Sequence, residues 1–181
     1  MKNILLLFFT LSLLGQKVFG QTAGTPTFAN IINGGQADNA FPLNSGTNRV
    51  QWIYEPNAFF AGGVSTGAQP GTGVAITDVY ITIGATANSS VSYSGFSLSL
   101  SQNVGTITTF TAGTWISGMT NVLPPTTMVL TGATSGGWVK FTLPTPFPYD
   151  PSLSLVFEMT VSGGTGNQVR QFGGSGNQRL W

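Results

Sequence analysis

The chain has 181 residues with no cysteine and no histidine, and charged residues make up only 6% of it. Those gaps exclude disulfides, Ser/His/Asp and Cys/His triads, and the usual ligands of zinc and copper sites. Six Lys and Arg against five Asp and Glu are too few and too scattered to line a phosphate backbone, so no nucleic-acid partner is expected.

The first twenty residues, MKNILLLFFTLSLLGQKVFG, place Lys2 ahead of an apolar run from Ile4 to Leu14, then small and polar residues. This pattern predicts a signal peptide over residues 1–20, cut between Gly20 and Gln21, and hence a secreted or cell-surface product. The apolar run is shorter than the ~20 residues needed to cross a bilayer, and no later run is longer, so no membrane span is expected after cleavage. Cleavage removes Lys2 and Lys17, leaving Arg49, Lys140, Arg170 and Arg179 against Asp38, Glu55, Asp78, Asp150 and Glu158. The exported chain is therefore nearly neutral, and electrostatic steering of a partner is not expected. Aromatic and β-branched residues are plentiful, which separates this chain from disordered sequences of similar polarity. Without disulfides its stability rests on a packed core, for which the remaining length suffices as one domain.

Residues 21–47 lack a sustained period and read as an irregular lead-in, with a short edge strand around Phe28 to Ile32. From residue 48 to 181 the pattern is that of a single β-sandwich domain: apolar runs of five to nine residues between turn clusters. RVQWIY (49–54) is the first strong strand. The segment 55–73 reads as a long glycine-rich loop with Phe59 and Phe60 folded back onto the sheet. In Val74 to Gly84, Val79, Ile81 and Ile83 share one face and Asp78, Tyr80 and Thr82 the other. GFSLSLSQ alternates strictly, with Phe96, Leu98 and Leu100 predicted inward and Ser97, Ser99 and Ser101 outward. TWISGM, TTMVL and GGWVKFTL supply three more predicted strands. In the last, Val139, Phe141 and Leu143 oppose Trp138, Lys140 and Thr142. PFPYDP then reads as a proline-fixed approach and turn. It leads into LSLVFEMTV, with Leu153, Leu155, Phe157, Met159 and Val161 inward and Glu158 outward. QVRQF is a further strand, and NQRLW begins another. No stretch has a capped helical period, so almost no helix is expected. Eight or nine short strands with long connections predict an antiparallel two-sheet sandwich, jelly-roll-like. The sequence stops at Trp181 within this last strand pattern, and further domains of the same polypeptide are expected beyond it.

Carboxylates are the remaining route to catalysis. A glycosidase needs two of them facing each other at roughly 5 Å or roughly 6.5–9.5 Å. Asp150 precedes a proline and reads as a turn former. Glu158 reads as an outward side chain, solvated or paired across strands with Lys140, and Asp78 as an outward strand residue. Asp150 and Glu158 are eight residues apart in extended chain, more than ~20 Å, so they do not form an acid pair. There is no run of alternating acids for calcium. The glycine pairs in GGVSTG, SGGW, SGGTGN and FGGSGN lack the strand, helix and lysine of a phosphate loop. No catalytic residue, metal site or cofactor is therefore expected. Aromatic side chains are the candidate binding groups: Trp138 and Tyr80, both predicted outward, with Trp115 and Trp52, and the amides Asn57, Gln69, Asn88 and Gln102 in or near loops. Exposed rings of this kind stack on the apolar faces of sugars; the same rings are also ordinary strand formers and core fillers, and a covering 55–73 loop would bury them.

Two runs carry a resemblance. NRVQWIYEPNAF (48–59) and WVKFTLPTPFPYDPSLSLVFEM (138–159) together resemble a β-sandwich domain found near the front of large secreted proteins that bear a type IX secretion sorting domain at their C-terminus. The resemblance covers about residues 48–172. It implies a jelly-roll-like fold and export to the cell surface or beyond, and brings no activity or catalytic residue with it. The sorting domain itself has no counterpart in this sequence. Together these readings predict a non-catalytic accessory or structural domain of a secreted or cell-surface protein, in spacing, adhesion or matrix contact. The alternative is a carbohydrate-binding module, with polysaccharide or extracellular matrix as partner.

Overall fold

The computed structural model describes residues 21–30, 36–44, 48–172 and 179–180. The predicted signal peptide and its cleavage point, Ile31 and Ile32 of the first predicted strand, and Trp181 lie outside them. The described residues contain strands and irregular segments and no helix. No helix among them is long and apolar enough to cross a membrane.

Twelve strands are present: β1 (Gln21–Ala23), β2 (Phe28–Asn30), β3 (Gln36–Asn39), β4 (Asn48–Tyr54), β5 (Phe59–Ala61), β6 (Val74–Thr82), β7 (Ser92–Ser101), β8 (Thr120–Val129), β9 (Trp138–Tyr149), β10 (Leu155–Val161), β11 (Val169–Phe172) and β12 (Arg179–Leu180). A five-stranded sheet runs β12-β4-β10-β7-β8 and a three-stranded sheet runs β1-β9-β6; β11-β3 and β2-β5 form two ribbons. All pairings are antiparallel. The long strands pair in nested order, β7 with β8, β6 with β9, and β4 with β10. This is one long antiparallel hairpin wrapped into two facing sheets, and closing it by pairing β10 with β7 gives the jelly-roll winding expected from the sequence.

The core lies between the two sheets. Phe96, Leu98 and Leu100 of β7 and Leu155, Phe157 and Met159 of β10 meet Val139, Phe141 and Leu143 of β9 and Ile81 of β6, all buried. Phe96 and Phe141 stack across the gap with ring centroids 5.1 Å apart. In β6 the partner register jumps between Ile76 and Asp78; this irregularity lets Ile76 and Val79 both pack on the core although they are an odd three positions apart.

Several local expectations change. The lead-in 21–47 contributes three short strands rather than one. The loop 55–73 includes β5, and its Phe59 packs against Tyr54 and Tyr149 at the core margin, with ring centroids 5.0 and 6.1 Å away. TWISGM is not a strand; it belongs to a long connection, 102–119. TTMVL is the end of a ten-residue strand that already begins at Thr120. Its Pro124 and Pro125 are tolerated because β8 is the outermost strand of its sheet. The proline run before Asp150 is likewise strand: β9 continues to Tyr149, with Phe147 and Tyr149 buried and Pro146 and Pro148 exposed. Beyond Phe141, β9 has β6 on one side and no paired strand on the other among the described residues. Prolines, which have no N–H to donate, fit there. Asp150 forms the expected turn, its Oδ1 accepting from the Ser152 backbone N–H at 2.8 Å and the Ser152 hydroxyl at 2.7 Å. These two bonds hold its pKa below the ordinary aspartate value.

In place of disulfides, loops are fastened by side-chain amides that bond one backbone residue through both N–H and C=O. Gln51 does this to Ile116 at 2.9 Å in both directions. Gln102 holds residue 150 at 2.7 and 2.8 Å, and Asn167 holds Asn88 at 2.7 and 3.0 Å. Each pair copies the donor–acceptor set of a β-ladder rung with a side chain standing in for a strand. Asn167 is fully buried and also donates to the Tyr93 hydroxyl, which donates in turn to the Leu43 carbonyl.

Candidate functional site

The outer faces of the two sheets have different fates. On the five-stranded sheet the outward positions are Arg49, Gln51 and Ile53 of β4, Val156, Glu158 and Thr160 of β10, and Ser97, Ser99 and Ser101 of β7, aligned by register. The connection 102–119 lies across part of this face. Phe110 packs there against Ile53 and Val156, with Val104, Ile107, Ile116 and Met119 around them. Ser154 holds the same connection, its N–H on the Gly105 carbonyl and its hydroxyl on that of Ile107.

Glu158 is therefore not a solvated side chain, and its partner is not Lys140. It is buried, and its Oε2 accepts from Gln51 Nε2 at 2.7 Å and from Arg49 Nε at 2.8 Å, with Arg49 Nη2 at 2.7 Å. The Arg49 guanidinium in turn lies 4.3 Å from the Trp115 ring centroid. The three serines are buried as well: Ser97 shares a hydrogen bond with Thr160, and Ser101 donates to Asn103.

The three-stranded sheet carries the other polar face. Register sets Asp78 opposite Thr142, Tyr80 opposite Lys140 and Thr82 opposite Trp138. Side chains two apart on a strand share a face, so Tyr80 and Trp138 are diagonal neighbours on it. Both are half-buried. Lys140 Nζ lies 3.1 Å from Asp78 Oδ1 and 6.0 Å from the Tyr80 ring centroid. The Thr142 hydroxyl donates to Asp78 Oδ1 at 2.8 Å and that of Thr77 to Oδ2 at 3.1 Å. Burial works to raise the Asp78 pKa, but the bonds from Thr142, Lys140 and Thr77 outweigh it and leave the carboxyl below its ordinary value. The hydrogen bond to Asp78 raises Lys140 above the ordinary lysine value. Tyr80 is backed by the segment after β1: a Cβ on Gly24 would sit 3.2 Å from its Cε1.

The four candidate rings are thus not one platform. Trp52 points to the core side of β4, its ring centroid 5.3 Å from that of Phe157. Trp115 sits under Arg49 on the far side of the large sheet. Tyr80 and Trp138 alone are brought together. The loop amides have structural partners: Gln69 donates to the Asn57 carbonyl, Gln102 clasps residue 150, and Asn88 Oδ1 accepts from the Ser90 N–H and hydroxyl. Sequence reasoning did not single out Thr82 as a site residue. Its hydroxyl is buried on the Tyr80–Trp138 face and, among the described residues, is the buried side-chain polar atom with no hydrogen-bond partner. The signal available was its place at an outward position of an alternating strand beside Tyr80.

Among the described residues no group of three or more acidic side chains is arranged to hold a metal ion. In comparison with known proteins, no family model, no curated protein and no solved structure matches this chain.

Proposed function

We propose that this chain is a non-catalytic accessory domain of a secreted, cell-surface-associated protein, serving in spacing or adhesion. The observation that supports this reading is the employment of four of its five acids. Asp38 is paired with Arg170 at 3.0 Å, Asp78 with Lys140, Glu158 with Arg49 and Gln51, and Asp150 closes a turn. The hydrogen bonds to Asp38, Asp78 and Asp150 hold their pKa values below the ordinary one, whereas a catalytic acid at neutral pH needs a raised pKa. The signal-like first twenty residues supply the export, and the resemblance of residues 48–59 and 138–159 to domains of type IX-secreted proteins supplies a setting. Turnover of glycan or peptide substrates by the purified protein would sink the non-catalytic reading. Retention of the chain in the cytoplasm, with residues 1–20 uncleaved, would sink export.

A second reading, carbohydrate binding, is favoured by the pairing of Tyr80 and Trp138 on one half-open face. Rings so placed offer apolar surface with a lysine, an aspartate and a threonine hydroxyl alongside, the mixture that a sugar's CH face and hydroxyls require. Affinity gels containing polysaccharides test it. Retardation should disappear when both rings are replaced by Ala, and unchanged retardation would remove this face from consideration.

A further inference from the structure

We propose that Thr82 is the buried polar anchor of a site for a neutral polysaccharide, set between Tyr80 and Trp138; the inference rests on the carbohydrate reading of that face. Thr82 is 6% exposed and its Oγ1 has no partner. A buried hydroxyl without a hydrogen bond is destabilising, and valine, of nearly the same shape and strand preference, would fill the position without that defect. Farther along the same face, Asp78 by contrast takes three partners. The unpaired hydroxyl lies beside Trp138 and Tyr80.

The register defines what surrounds it. Trp138 is directly opposite Thr82, and Tyr80 precedes it by two residues on the same face. Directly opposed side chains have Cβ atoms roughly 4.5–5.5 Å apart, so the indole borders Thr82. Rotation of that ring would open Oγ1 to a ligand and lay the indole along it. Ligand class follows from charge. Lys140 and Asp78 neutralise each other at 3.1 Å, so the face offers no net charge to an anion or a cation. A neutral sugar chain provides apolar CH faces for the rings and a hydroxyl that both donates to and accepts from Thr82.

The test is affinity electrophoresis of the purified protein through gels containing hydroxyethylcellulose or laminarin, which are neutral, or polygalacturonate or alginate, which are acidic. A neutral gel should retard the protein. Trp138→Ala should abolish retardation, and Thr82→Val should weaken it about tenfold, the worth of one hydrogen bond, while Thr82→Ser retains it. Thr82→Val should melt at or above the wild-type temperature, so its weaker binding is not a folding defect. If Thr82→Val is retarded like wild type while Trp138→Ala is not, the anchor inference falls and the carbohydrate reading stands. If none of the gels retards the protein, both fall. Retardation by the acidic gels alone overturns the neutral-ligand assignment.

Discussion

The outer faces of the two sheets begin from the same kind of sequence and end differently. β10 and β7 alternate apolar and polar residues just as β6 and β9 do, yet Glu158, Ser99 and Gln51 are buried while Tyr80, Lys140 and Trp138 remain half-open. The difference lies in the connection 102–119, which brings Phe110, Ile107 and Ile116 over the first face, whereas the second is met at Tyr80 by the short segment after β1. Alternation fixes the side of a sheet a residue occupies; whether that side is wet depends on chain far away in sequence. On the covered face every buried polar side chain acquired a partner, whereas the half-open face keeps Thr82 unpaired. Partner-complete polar groups suit a structural interface, and an unmatched one suits a surface that meets something else.

Substitutions sharpen this contrast. The largest effect is expected at Ile53, buried beneath the connection: Ile53→Ala should lose about 2–5 kcal/mol in urea unfolding, and a loss under about 0.5 kcal/mol would mean that the face behaves as ordinary surface. Gln51→Ala should lose about 2 kcal/mol by leaving the Ile116 N–H and the Glu158 carboxylate short of a donor or acceptor, and should speed amide exchange selectively within 110–119. On the half-open face the sign reverses: Thr82→Val should stabilise by about 1 kcal/mol, and destabilisation would show that the hydroxyl has a partner in solution. The smallest effect is that of pH. Asp38, Asp78 and Asp150 have folded pKa values below the ordinary one. Their contributions are complete above that value and disappear as pH falls through the lower folded values. The urea midpoint should drop on acidification below about pH 4, modestly because Asp38 and Asp150 are exposed and Asp78 only half-buried, and high salt should shrink the drop.

The sandwich was legible because the inner residues of the central strands obey a two-residue period: Phe96, Leu98 and Leu100 on β7, Leu155, Phe157 and Met159 on β10. Its failures have physical causes. TWISGM has the composition of a strand, but its backbone is held by the Gln51 side chain rather than by a neighbouring strand, and no local pattern marks that partner. The early start of β8 at Thr120 was not legible, because edge position, which makes Pro124 and Pro125 acceptable within it, is a property of the assembled sheet. The pairing of Asp78 with Lys140 instead of Glu158 with Lys140 is a matter of sheet membership, since β9 and β10 lie in different sheets. For the site, the side of Tyr80 and Trp138 followed from alternation. That Trp52 turns to the core and Trp115 lies below Arg49 did not, because the former needed the register of β4 on β10 and the latter the course of a loop.

Nested pairing also has a consequence for when this protein can fold. β4 is the first long strand to leave the ribosome, yet its long-strand partner β10 lies more than a hundred residues later, with Asn48 opposite Val161. The hairpin of β7 and β8 can close early, but the outer rungs must wait, and chains dominated by such distant contacts fold in milliseconds to seconds. Until its last strands have been made, the chain cannot complete its larger sheet, and β4 stays without the strand that covers its whole length.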